Sequence, residues 1–295
     1  MRAWQQLNRK TLAKGLSAIL LLDRDRMDFD LAEWINLVVR WIHVFAGILW
    51  IGQTYFFTWL DGRFAELTDG EGGGKDGGNV WMVHSGGFYV VEKQKIPRLM
   101  PQHLHWFRWE AAITWLSGIT LLTLVYYMGG LMINEHVEQS TAIIAGIFVL
   151  LAAWPVYDFL WRSRVVEDEI IGVVISYVFV VVVAFALTYF MDGRAMYIHI
   201  GGMFGTLMTV NVWARILPAQ RTMVAALKEG RKPDLALAAQ AKTRSKHNTF
   251  MVVPVVFIMI SSHFPTATYG TSWNWQILSL LILAGWVAAK FLRRA

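Results

Sequence analysis

Histidine is the residue type with which this sequence could bind a redox metal, because the chain contains 8 histidines and no cysteine. The lack of cysteine excludes iron–sulfur clusters, thiolate catalysis and haem attached through a CxxCH motif. Four histidines lie within or at the ends of long apolar segments, where an ionisable side chain needs a partner: His43, His105, His199 and His247. We expect these imidazoles to bind the iron of haem b, with one or two haems in the protein. The alternative for each is a structural histidine that is hydrogen bonded to a neighbouring carbonyl group.

The four histidines fall at two depths along the predicted helices. His43 and His199 lie in the outer half of the apolar layer, and each is followed within four residues by a glycine that would let a flat macrocycle approach. His105 and His247 begin helices at the inner boundary, where they either bind a second haem or act on a substrate. One pair of imidazoles on each side of the membrane is the arrangement of a b-type cytochrome.

Further polar residues gather near the inner boundary. They are candidate catalytic residues and comprise His84, Arg108, Glu110 and Asn248. A guanidinium fork, an imidazole and an amide that face the basic side of the membrane suit a planar anionic substrate. A haem propionate or a lipid head group would suit the same residues.

The composition indicates that membrane-spanning helices carry these residues. Hydrophobic residues make up 56% of the chain and charged residues 16%, with a mean hydropathy of +0.42. This is more apolar surface than a water-soluble core can bury. Seven segments are long enough to cross an apolar layer of about 30 Å as helices: 34–60, 104–129, 140–161, 169–191, 195–217, 247–263 and 272–292. We predict an all-α, polytopic transmembrane helix bundle of about seven spans that is similar to a b-type cytochrome.

The distribution of lysine and arginine predicts the orientation of the bundle. Basic residues concentrate in the connections at 61–103 and 218–246, which we therefore place in the cytoplasm. The net charge of +6 reflects these connections and does not indicate binding to nucleic acid. Residues 1–33 form a predicted amphipathic segment at the membrane interface, and residues 34–295 form the predicted transmembrane domain.

Six segments carry a family resemblance. They are, in order, WINLVVRWIHVFAGILWIGQTYFFTWLD, VWMVHSGGFYVVEK, LHWFRWEAAITWLSGITLL, RAMYIHIGGMFGTLMTVNVW, ILPAQRTMVAALKEG and RSKHNTFMVVPVVFIMISSHFP. Together they resemble the membrane domain of the bacterial membrane-bound urate oxidase, also called urate hydroxylase. The resemblance implies a multi-pass protein of the bacterial inner membrane. It also implies oxidation of urate to 5-hydroxyisourate without hydrogen peroxide, with transfer of electrons to cytochrome c.

Many members of this family carry the cytochrome as a C-terminal domain, whereas this sequence has no CxxCH motif. We therefore expect urate as the substrate, and a separate cytochrome c or another respiratory carrier as the electron acceptor. Two other functions stay open. An electron-transfer cytochrome b would lack its own organic substrate, and a proton-coupled anion transporter would use the histidines to move protons.

Overall fold

The computed structural model describes residues 30–69, 78–94, 96–97, 101, 103–132 and 136–293. Most of the predicted interfacial segment 1–33 and the glycine-rich connection after residue 69 lie outside the described residues. The chain divides into two units, Met1–Val38 and Val39–Ala295. The described residues of the first unit form the start of helix α1 (Leu31–Asp69), and the second unit contains all the other elements.

Seven long helices and one β-hairpin make up the described part of the chain. After α1 they are β1 (Val80–His84), β2 (Gly87–Val91), α2 (Trp109–Leu121), α3 (Gln139–Leu160), α4 (Glu169–Leu187), α5 (Gly193–Asn211), α6 (Leu235–Ser261) and α7 (Asn274–Leu292). A π-helical turn, Leu122–Tyr127, extends α2. A second one, Val212–Ile216, extends α5, which then continues as Leu217–Lys228. The prediction of an all-α helix bundle is confirmed.

Six of the helices are long and apolar enough to cross a membrane. They cover Leu31–Leu67, Trp109–Tyr127, Gln139–Leu160, Glu169–Leu187, Gly193–Lys228 and Asn274–Leu292. The remaining predicted span, 247–263, corresponds to the second half of α6. Helix α6 is not among these six helices, because its first half is polar and carries Lys242, Arg244 and Lys246.

The connection predicted at 218–246 is mostly helical. Helix α5 extends to Lys228 and α6 begins at Leu235, so residues 229–234 alone separate them. Alanine is frequent on both sides of this turn, and its high helix propensity favours continuation of the helices into the polar phase. Helix α1 likewise continues to Asp69, past the predicted end of the first span at residue 60. The basic residues of these connections are therefore carried largely by helices.

Aspartate side chains cap the starts of four helices, and Asp30 does so for α1. The carboxylates of Asp168, Asp192 and Asp234 each accept a hydrogen bond of 2.8 Å from a backbone N–H two or three residues later. A carboxylate in this position satisfies a free N–H group and interacts favourably with the positive end of the helix dipole. These caps set the starts of α4, α5 and α6.

Helix α5 forms the core of the second unit. Buried residues make up 61% of its apolar stretch, against at most 28% in the other membrane-length helices. It packs against α2, α3, α4 and α6. Apolar side chains are exposed on the outward faces of the surrounding helices, which is the pattern expected for a bundle covered by lipid. Polar side chains of α5 must therefore find their partners on neighbouring helices.

Gly146 lets α3 approach the buried His199 of α5. A β-carbon at residue 146 would lie 2.6 Å from His199 Cδ2 and 3.2 Å from Tyr127 Oη. The imidazole is fully buried and hydrogen bonds to the carbonyl oxygen of Ala195 at 2.7 Å and to Tyr127 Oη at 3.1 Å. Glycine is therefore the residue that fits this contact.

We expect Gly146→Ala to lower the free energy of unfolding by about 1–3 kcal/mol, because the added methyl group forces the His199 ring or α3 to move. The midpoint of thermal unfolding in detergent should fall by several degrees. Gly205→Ala on α5 is the matched control, because no heavy atom lies within 4 Å of a β-carbon built there. Equal midpoints for the two variants would contradict the close contact.

Candidate functional site

Asp158 is the centre of a buried polar cluster where α3, α5 and α6 meet. It is 5% exposed and accepts hydrogen bonds from Arg215 Nε at 2.9 Å and from Arg244 Nη2 at 2.8 Å. Arg215 Nη2 completes a bidentate pair with the other carboxylate oxygen, and Arg162 Nη1 lies 3.7 Å from that oxygen. A buried carboxylate needs such partners because its removal from water is costly.

The cluster carries an excess of positive charge. Three arginines surround the single carboxylate of Asp158. Arg244 is 2% exposed, and its Nη1 has no hydrogen-bond partner among the described residues. A buried guanidinium nitrogen without an acceptor is a binding point for an anion or a carbonyl oxygen.

A chain of hydrogen bonds runs beside the arginines. Trp154 Nε1 donates to Asn211 Oδ1 at 3.3 Å. Asn211 Nδ2 donates to Tyr157 Oη at 3.2 Å and to Asn248 Oδ1 at 3.0 Å. Asn248 Nδ2 donates to the carbonyl oxygen of Met208 at 3.0 Å. The two buried amides are therefore held at both their oxygen and their nitrogen atoms.

His247 lies at the end of this chain. Its Nδ1 hydrogen bonds to Tyr157 Oη at 2.6 Å, and its ring packs on Trp161 with 4.1 Å between centroids. Its Nε2 is buried and has no hydrogen-bond partner in the described part of the protein. Arg244, one turn earlier on α6, places its guanidinium carbon 4.7 Å from the centroid of the Tyr157 ring. His247 and Arg244 thus flank the same tyrosine, and each keeps one unpaired nitrogen.

Helical periodicity brings these side chains together. Residues separated by three, four or seven positions share one face of a helix. Helix α3 contributes Trp154, Tyr157, Asp158 and Trp161 at these intervals, and α6 contributes Arg244, His247 and Asn248. Helix α5 contributes Asn211 and, from its π-helical turn, Arg215. Turns of this kind are frequent at functional sites.

The sequence analysis did not select Asp158, Tyr157 or Arg244. The signal that could have found them is the set of polar and aromatic residues spaced along one face of the otherwise apolar segment AWPVYDFLW. A carboxylate in a membrane-length helix needs a charged or polar partner, whether its role is functional or structural. That partner lies on helices far away in the chain, so the spacing alone could not identify it.

Two of the predicted site residues, His247 and Asn248, belong to the cluster. His84 ends strand β1 and is exposed. His105 is also exposed, and its ring contacts Phe107 with 4.5 Å between centroids. Within the described ranges, no hydrogen bond, ion pair or ring contact joins His84 or His105 to the cluster.

Arg108 and Glu110 lie at the start of α2. The guanidinium carbon of Arg108 lies 5.4 Å from the centroid of the Trp109 ring, and its Nε is buried without a partner among the residues described. Glu110 borders an apolar groove of about 480 Å³ between α1 and α2. No hydrogen bond or ion pair within the described chain joins Arg108 or Glu110 to the cluster around Asp158.

The two outer histidines differ in what their ring nitrogens contact. His43 Nδ1 donates to the carbonyl oxygen of Thr114 at 2.9 Å, and no described residue hydrogen bonds to its Nε2. An imidazole held through one nitrogen, with the other nitrogen free, is the form in which histidine binds a metal. His199 uses both nitrogens, one on Ala195 O and the other on Tyr127 Oη. His43 therefore fits an iron ligand as it stands, whereas His199 would first have to release Tyr127.

We expect Asp158→Asn to lower the free energy of unfolding by about 3–5 kcal/mol, because the buried Arg244 and the partly buried Arg215 would lose their counter-ion. Thermal unfolding of the purified protein measures this effect. Glu169→Gln is the control, because it removes a more exposed ion pair with Lys246, and such pairs contribute about 0–1 kcal/mol. Wild-type stability of Asp158→Asn would show that the arginines do not depend on the carboxylate.

Comparison with protein families covers almost the whole described chain. The model of the urate oxidase N-terminal family matches residues 30–295. The match includes all seven helices and every residue of the cluster around Asp158. Searches of curated proteins and of solved structures find no match. The chain therefore belongs to the urate oxidase N-terminal family.

Proposed function

We propose that the protein is a membrane-bound oxidoreductase of the bacterial urate hydroxylase type, which oxidises urate to 5-hydroxyisourate. Family membership supports urate as the substrate, and six membrane-length helices support a multi-pass membrane protein. In this reaction urate and water give 5-hydroxyisourate, two protons and two electrons. The electrons pass to cytochrome c or another respiratory carrier.

The observation that carries this proposal is the buried guanidinium nitrogen Nη1 of Arg244, which has no partner among the described residues. Urate is a planar anion at neutral pH, and Arg244 Nη1 is a buried donor without an acceptor in the described structure. A guanidinium group binds planar anions through a fixed fork of N–H donors. Trp161 and His247, whose rings pack on each other, add flat aromatic surface to the cluster. Asn248 contributes indirectly, because it holds the amide of Asn211 in place.

Haem b is the proposed electron carrier, and His43 is the residue that would hold its iron. Such a group supplies one-electron transfer between a substrate that loses two electrons and an acceptor that takes one at a time. Thr114 orients the imidazole by accepting its Nδ1 proton. Gly118 lets α2 pack closely against the ring, because a β-carbon there would lie 3.0 Å from His43 Cε1. His199 and His105 stay predicted ligands, although the first has both nitrogens engaged and the second is exposed.

The cytoplasmic side of the bacterial inner membrane is the proposed position of the cluster. Basic residues concentrate at this end of the bundle, after α3 and around the turn between α5 and α6. They are Arg162, Arg164, Arg221, Lys228, Arg231, Lys232, Lys242 and Lys246. Lysine and arginine next to membrane helices favour the cytoplasmic side. Urate from the cytoplasm would reach the cluster from there.

Membranes that contain the protein should oxidise urate when oxidised cytochrome c is added. Arg244→Gln should lower kcat/KM for urate about ten- to hundred-fold, because a charged hydrogen bond to the anion is lost. Urate consumption and cytochrome c reduction are measured in parallel. Arg231→Gln is the control, because Arg231 is exposed and pairs with Glu229.

Two outcomes would favour the other functions that the sequence leaves open. Uptake of urate into vesicles without its oxidation would indicate a proton-coupled anion transporter. A reducible haem with no response to urate would indicate an electron-transfer cytochrome b. Both outcomes contradict urate oxidation.

We expect His43→Ala to lose most of the haem bound per protein, because the variant lacks the Nε2 atom that is proposed to bind the iron. Haem content is measured from the reduced spectrum in pyridine. His263→Ala is the matched control, because His263 is exposed at the end of α6. An unchanged spectrum and haem content in His43→Ala would return His43 to a structural role.

A further inference from the structure

We infer that Tyr157 holds His247 in the tautomer that carries its proton on Nε2, so that His247 Nε2 and Arg244 Nη1 form a pair of buried hydrogen-bond donors. This donor pair binds a planar anion that offers an acceptor atom to each of the two nitrogens. The inference rests on the proposed function for the identity of the ligand, because it specifies which groups bind urate.

The direction of the hydrogen bonds beside the arginines is determined at two points. An indole nitrogen can only donate, so Trp154 contacts the amide oxygen of Asn211. A carbonyl oxygen can only accept, so the carbonyl of Met208 contacts the amide nitrogen of Asn248. Both amides are thereby oriented, and the nitrogen of Asn211 donates to Tyr157 Oη.

Tyr157 then directs its own proton to His247. Its oxygen accepts from Asn211, and His247 Nδ1, at 2.6 Å, is the acceptor that the described residues offer to the hydroxyl proton. The ring is neutral, because a second buried positive charge beside Arg244 would be costly. A neutral imidazole that accepts at Nδ1 carries its proton on Nε2. His247 Nε2 is therefore a donor, and it has no acceptor in the described structure.

Arg244 supplies the second donor in a fixed position. Its Nη2 donates to Asp158 at 2.8 Å, and its guanidinium carbon lies 4.7 Å from the Tyr157 ring centroid. Because the guanidinium group is planar and rigid, holding Nη2 on Asp158 and the guanidinium group near the Tyr157 ring also restricts the position of Nη1. Asp158 and Tyr157 are thus positioning residues for the donor pair.

The donor pair defines the chemistry of its ligand. A buried donor without an acceptor is costly, so a ligand that brings acceptor atoms removes this cost on binding. An N–H group of a ligand in the same place would face the two donors and would be rejected. This tautomer also prevents His247 Nε2 from binding iron, since a metal binds the unprotonated nitrogen of imidazole. His247 is therefore a binding residue of the substrate rather than a ligand of a second haem.

Long-range proton–nitrogen NMR spectra of the whole protein, labelled with ¹⁵N-histidine in detergent, test the tautomer directly. The signals of His247 are assigned by their loss in His247→Gln. We expect a protonated Nε2 and an unprotonated Nδ1, with Nε2 shifted on addition of urate. A protonated Nδ1 in the wild type would overturn the inference, as would urate binding that leaves the His247 signals unchanged.

Binding of urate to three variants tests the donor itself. Tyr157→Phe keeps the ring beside Arg244 but removes the hydroxyl group, so the Nδ1-protonated tautomer should appear and Kd for urate should rise about tenfold. His247→Leu removes the donor and should weaken binding at least as much. His247→Gln restores an N–H near the Nε2 position and should recover most of the affinity. Equal losses for glutamine and leucine would overturn the donor role.

The same experiments separate this inference from the proposed function. If the wild-type protein binds urate through a protonated Nε2 but does not oxidise it, the donor pair is supported and the oxidoreductase function is contradicted. If it oxidises urate while His247 is protonated on Nδ1, the oxidoreductase function is supported and the donor pair is contradicted. The unfolding midpoint of each variant is measured alongside, and the wild-type spectrum needs His247→Gln only for the assignment of its signals.

Discussion

The ion pairs of Asp158 with Arg215 and Arg244 are the constraint on which the rest of the site depends. Two guanidinium groups can stay in a bundle of apolar helices only beside a carboxylate, because an unpaired buried charge is strongly unfavourable. These pairs join α3 to both α5 and α6. They also place Arg244 beside Tyr157, which in turn contacts His247. One carboxylate thus determines both how three helices meet and where the unpaired nitrogens lie.

The surroundings of His199, near the start of α5, and of His247, on α6 near the end of α5, show what distinguishes a structural polar contact from a candidate site. His199 has a partner for each ring nitrogen, and Gly146 lets α3 pack directly against the ring. His247 has a partner for one nitrogen only. Buried polar groups in proteins are nearly always satisfied, so two unpaired nitrogens around one tyrosine favour the presence of a ligand. Both histidines are equally conspicuous in the sequence, and only their partners separate them.

Hydropathy is sufficient to predict the helix bundle, because long apolar segments in a membrane have few alternatives to helix. Depth along a helix does not specify lateral position, so the sequence groups Arg108 and His105 with His247, although no hydrogen bond, ion pair or ring contact joins them in the described structure. The partners of Asp158 could not be predicted, since Arg215 and Arg244 are 57 and 86 residues away in the chain. The basic residues between 218 and 246 predict a cytoplasmic connection, but charge alone does not indicate that this alanine-rich segment is mostly helical.

The polar start of α6 explains how a charged cluster can exist in this bundle. Arg244, His247 and Asn248 lie where α6 changes from the polar segment KTRSKHN to the apolar segment FMVVPVVFIMI. At such a boundary a charged side chain costs less than at the centre of a bilayer. The side chain of Arg162, next to Asp158, is exposed at the surface of the bundle. A water-soluble anion would therefore reach the donor pair without crossing the apolar layer, while the apolar halves of the helices isolate the electron carrier proposed at His43. The polar first half of α6 makes this helix less apolar than the six membrane-length helices, and the same polarity allows the charged residues of the site to lie there.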